Sequence, residues 1–96
     1  MKKPEVLHDA VYTFGQTHQI EKAIEEMSEL TKELVKYLIG EGDPEHIAEE
    51  LGDTEITLAQ LRIIFDNDEA VDAWKQKKLD RLGGLIFEEK YPGGRV

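Results

Sequence analysis

Apolar residues recur at helical period along most of this chain. Leu7, Ala10, Val11 and Phe14 form an i, i+3, i+4, i+7 stripe, which predicts a short helix over 4–14 with Pro4 in its first turn. Gly15 interrupts it. A second helix is predicted over 17–39, with the stripe Ile20, Ala23, Ile24, Met27, Leu30, Leu34 and Leu38. Gly40 follows, where a left-handed C-terminal cap is wanted, and 40–43 read as a tight loop. Asp43 and Pro44 are an N-cap and first-position pair that opens a third helix running to about Phe65.

The third helix carries two apolar sets. Ile47, Leu51, Leu58, Leu61 and Phe65 form one; Ala48, Gly52, Ile56, Ala59 and Ile63 form the other. A helix apolar on two faces is covered from two directions, and in so short a chain one cover can be another subunit. Residues 66–68 read as a turn and N-cap. A fourth helix is predicted over 69–82 with Val71, Trp74, Leu79 and Leu82, stopped by Gly83 and Gly84. Leu85, Ile86 and Phe87 are the one short strand candidate in a tail, 85–96, expected to be irregular. The expected fold is all-α: a single domain over 1–96, a four- to five-helix bundle whose core is completed by homo-oligomerisation.

Length supports that last expectation, because 96 residues bury only a small core. Charge narrows the partners. Twenty-one acids against twelve Lys and Arg give a net charge of −9, which repels nucleic acid. A phosphate-bearing ligand then needs a local basic patch or a bridging divalent cation. There is no cysteine, which excludes disulfides, thiolate zinc sites and cysteine nucleophiles. No apolar run approaches the roughly 20 residues of a membrane span, and nothing reads as a signal peptide. The expected location is the cytoplasm, away from membranes.

Two acid pairs carry the candidate chemistry. Glu26 and Glu29 lie three apart on the second helix; Glu50 and Asp53 lie three apart on the third. Residues at that spacing share a face. Four carboxylates from two antiparallel helices can converge on hard divalent cations, which prefer oxygen ligands. A solvated, ion-paired face is the competing reading, since acids are abundant here. On the third helix Glu50 projects near Leu61 and Asp53 near Ile64, where an ionised carboxylate needs compensation. On the second helix Glu26 lies at the stripe's margin and Glu29 further round, with Lys22 and Lys36 available to neutralise acids. His8, His18 and His46 show no ligand spacing, and Glu5 with His8 is half of a di-iron motif without its second half.

Residues 14–30, with Glu25-Glu26-Met27-Ser28-Glu29-Leu30 at their end, resemble the first motif of the MazG-like all-α nucleoside triphosphate pyrophosphohydrolases. Residues 47–53, with Glu49-Glu50-Leu51-Gly52-Asp53, resemble the second. The resemblance spans residues 14–65 and covers the fourth helix only loosely. It implies a homodimer or a homotetramer built as a dimer of dimers. It implies magnesium, replaceable by manganese, held by Glu26, Glu29, Glu50 and Asp53. It implies cleavage of a nucleoside triphosphate substrate to monophosphate and pyrophosphate.

Magnesium neutralises phosphate charge and polarises the phosphoryl group, and one carboxylate then takes a proton from the attacking water. By the same resemblance Gln19 and the basic residues Lys78 and Arg81 are substrate contacts, with Lys90 and Arg95 weaker candidates. A surface glutamine and a solvated basic face are the plain alternatives. Trp74 either stacks on a base or belongs to the core. Two competing functions stand beside the hydrolase: a non-catalytic oligomeric binding module, and the related phosphoribosyl-ATP pyrophosphohydrolase activity.

Overall fold

The computed structural model describes residues 3–93, with side chains from Glu5 onward. Four helices make up the described residues, with no strand among them: α1 (Lys3–Phe14), α2 (Gln16–Leu38), α3 (Pro44–Phe65) and α4 (Asp68–Lys90). They fall into two compact units. The first ends at Asp66 and holds α1–α3; the second begins at Asn67 and holds α4.

In the first unit α2 and α3 form an antiparallel hairpin, and α1 packs on both. Gly15, at φ 90°, lets the chain turn from α1 into α2. The turn after α2 is built as its sequence predicts. Gly40 adopts φ 82°, its amide donates to the Tyr37 carbonyl at 3.1 Å, and the Glu41 amide donates to the Lys36 carbonyl at 2.9 Å. That pair of bonds is a Schellman cap. Gly42 then passes so close to Tyr37 that a Cβ there would overlap the Tyr37 backbone. Asp43 caps α3 through Oδ1, which accepts from the Glu45 amide at 2.9 Å, with Pro44 at the helix start.

The seam between α2 and α3 departs from the apolar expectation. Its buried residues are Gln19, Ala23 and Glu26 on α2 and Thr54, Thr57 and Gln60 on α3. Ala23 and Val11 are the only buried apolar residues among those described. Ile24, Leu34 and Leu38 of the predicted α2 stripe are exposed, as are Leu51, Leu58, Phe65 and Ile56 on α3. The two apolar sets of α3 therefore flank a polar seam, and much of their surface is uncovered within one chain.

α4 also departs from expectation. It passes through Gly83 and Gly84 without a left-handed residue and continues to Lys90, so Leu85–Phe87 is helical and 85–90 is not an irregular tail. A positive φ is what makes glycine a helix stop, and neither glycine adopts one. The Phe87 and Tyr91 rings pack at 5.0 Å across the helix end. No helix is long and apolar enough to cross a membrane among the described residues.

Candidate functional site

Glu26, Glu50 and Asp53 meet where α2 faces α3. One carboxylate oxygen from each lies within 4.8 Å of the other two. Helical periodicity places Glu50 and Asp53 on one face of α3, and Glu26 reaches them from the facing helix. A hydrogen bond pins the helices at this level: the Thr54 hydroxyl donates to the Glu26 carbonyl at 3.4 Å. Glu26 is buried at 8% exposure, and Glu50 and Asp53 are half-buried.

The electrostatics of this cluster are unbalanced. Glu50 Oε2 is buried and accepts no hydrogen bond. Burial raises the Glu50 carboxyl pKa above its ordinary value, and the charges of Glu26, Asp53, Glu29 and Glu49 add to the shift. Lys22 answers the cluster from α2: its Nζ lies 3.3 Å from Glu26 Oε1 and 3.5 Å from Glu25 Oε1. Those carboxylates raise the Lys22 pKa, the hydrogen bond to Glu26 contributing most. Three convergent carboxylates with an unanswered oxygen are the donor set a hard dication fits.

The four expected ligands therefore do not all converge. Glu29 is half-buried and outside the triad, yet near enough for its charge to act on Glu50. Glu29 is the same three-residue step from Glu26 as Asp53 is from Glu50, about 60° round the helix, so spacing alone does not exclude it; Glu26 is the α2 acid that meets the α3 pair. Lys36 pairs with Glu33 at 3.8 Å rather than with Glu29.

A cavity of about 300 Å³ opens beside the triad. Glu26 and Asp53 border it, and Lys22, Gln19, Thr57 and Gln60 are among its other lining residues. Gln19 is thus a buried cavity residue and not a surface glutamine. Thr57 and Gln60 escaped sequence reading because they sit between two apolar sets and look like an outward polar face. The available signal was their register: Asp53, Thr57 and Gln60 follow the i, i+4, i+7 stripe.

Trp74, Lys78 and Arg81 all lie on α4, in the second unit. Trp74 is exposed, contrary to a core placement. Its ring is covered by Lys77 Nζ at 5.1 Å and Lys78 Nζ at 5.8 Å, in cation–π geometry. Lys90 ends α4, and Arg95 lies outside the described residues.

No protein-family model, curated protein or solved structure matches this chain.

Proposed function

We propose that this chain is a magnesium-dependent nucleoside triphosphate pyrophosphohydrolase of the MazG-like kind. The observation that carries the reading is the convergence of Glu26, Glu50 and Asp53 within 4.8 Å. These are three of the four acids that the family resemblance implies as metal ligands. The unpartnered Glu50 Oε2 adds to it, since a buried carboxylate oxygen with no donor is costly until a cation or proton meets it.

Glu26, Glu50 and Asp53 hold the cation, with Glu29 supporting from outside. Bound there, magnesium supplies charge neutralisation on the phosphates and polarises the phosphoryl group. Water adds across the α–β phosphoanhydride, that bond breaks, and pyrophosphate leaves. One carboxylate of this cluster takes the water's proton as the bond to pyrophosphate breaks. Lys22, at the border of the cavity, contributes fixed positive charge toward the phosphates. The working state is a homodimer or homotetramer. Its support is the uncovered Ile24, Leu34, Leu51, Ile56 and Leu58 surface, unusual for a chain that acts alone.

The test is pyrophosphate release from a panel of ribo- and deoxynucleoside triphosphates with magnesium, manganese or EDTA. Turnover that stops in EDTA is the expected result. Silence across the panel from folded protein overturns the hydrolase reading and favours an oligomeric binding module.

A further inference from the structure

The cavity beside the triad has two chemically distinct levels. Gln19 stands seven residues before Glu26 on α2, and Gln60 stands seven after Asp53 on α3. Seven residues are two helical turns, a rise of about 10 Å. Because the helices are antiparallel, both steps run the same way. The two amides therefore share a level two turns from the acids.

Gln19 is 5% exposed and Gln60 6%, yet both border the cavity. None of the side-chain hydrogen bonds described engages either amide. An amide offers both a donor and an acceptor, and buried amides are normally paired. At the same end Phe14 and His18 border the cavity with their rings 5.6 Å apart. Phe14 is 61% exposed, so its ring is not enclosed by the chain and can meet a further planar group. Two unpaired amides beside two aromatic rings match a flat nitrogen heterocycle, which offers a donor–acceptor edge and two stacking faces. The distance between levels suits a sugar and one phosphate between that heterocycle and the cation.

We infer that the Gln19–Gln60 end of the cavity is a nucleobase subsite, with the amides reading the base edge and Phe14 and His18 packing on its face. This rests on the nucleotide reading above and adds the part of the site that selects among bases. It also fixes the polarity of the bound nucleotide: phosphates at Glu26, Glu50 and Asp53, base toward Gly15.

The test is NMR of the glutamine side-chain amides in the full chain, titrated with nucleoside monophosphates of each common base in magnesium. Ribose 5-phosphate is the baseless control. The Gln19 and Gln60 resonances are expected to shift with a monophosphate and stay in place with ribose 5-phosphate. Equal shifts from both ligands, or none up to millimolar monophosphate, overturn the subsite even where turnover is observed. Base-dependent shifts without turnover keep the subsite and sink the hydrolase.

Kinetics supply a second arm. Gln60→Leu is expected to compress the spread of kcat/KM among bases by about tenfold, as losing a buried hydrogen bond to substrate would. Phe14→Ala, at an exposed position, is expected to raise KM and leave helicity intact. An unchanged base ranking in both variants overturns the assignment.

Discussion

Lys22 Nζ lies 3.3 Å from Glu26 Oε1, one turn away on α2, and so brings a protein cation to the carboxylate that completes the acid triad. Lys22 is about half exposed, and its stem is free to swing. A dication entering the triad competes with it for Glu26. Lys22→Met is therefore expected to tighten manganese binding in the absence of nucleotide, by up to about fivefold, the worth of an exposed ion pair. The same change should weaken nucleotide binding, because a positive charge leaves the cavity. Manganese titration by electron paramagnetic resonance, with and without a nonhydrolysable triphosphate, reads both effects. Weaker metal binding in the variant would show that Lys22 orders Glu26 for the metal instead of competing.

Glu50 sets a pH dependence of definite sign. Its native pKa is raised by burial first and by neighbouring acids next. In the unfolded chain it ionises as an ordinary glutamate. The stability from holding that proton is complete below the ordinary value and is lost as pH rises through the raised one. In EDTA, the wild type should lose Tm relative to Glu50→Gln across that window. Metal affinity runs oppositely, since binding displaces the proton, and should climb through the same window. Thermal melts of both proteins in EDTA across the acid range, with magnesium titrations alongside, decide it. Parallel wild-type and variant profiles would remove Glu50 from the account.

The triad and Glu29 should separate under amide substitution. Glu26→Gln, Glu50→Gln and Asp53→Asn each take an oxygen from the convergent set. Each is expected to lower pyrophosphate release more than about 100-fold, with helicity retained. Glu29→Gln acts from outside and should cost about tenfold, the lower end for a supporting residue. Equal losses at all four positions would place Glu29 among the direct ligands once metal is bound.

The acids were legible because three-residue spacing on two helices separated by a capped turn leaves little freedom for where they meet. The Gly40 cap and the Asp43–Pro44 start were legible for the same reason, since each is local chemistry. The amide level was not. Gln60 and Thr57 have no local signature, and their role depends on α2 lying opposite α3. The apolar stripes were legible as stripes, but what covers them was not. Periodicity says which residues share a face and not what covers it, and here Ile24, Leu34 and Leu58 remain uncovered within the chain.

That uncovered surface has a direct consequence. Leu51 and Leu58, seven apart on α3, are each 44% exposed and share a face. The protein is expected to sediment as a dimer or tetramer. Leu51→Asp combined with Leu58→Asp should shift it to monomer and lower its thermal stability, because burying these carboxylates in a subunit contact is costly. Sedimentation velocity over a concentration series measures both proteins. A monomeric wild type at tens of micromolar would leave the apolar face to a different partner.

Gly83 and Gly84 test whether α4 is covered in the assembled protein. Both sit inside the helix, neither has a positive φ, and a Cβ at either meets nothing within 4 Å. Glycine within a helix costs about 1 kcal/mol relative to alanine. Gly83→Ala and Gly84→Ala are then each expected to raise stability by about that amount, read as a higher Tm and more helix by circular dichroism. The sign carries the information. A loss at one position means that the assembled protein brings another backbone or a ligand close to that glycine, where a methyl group has no room. Since Trp74, Lys78 and Arg81 share this helix, such a loss combined with a raised KM for nucleotide would mark α4 as part of the substrate-binding surface.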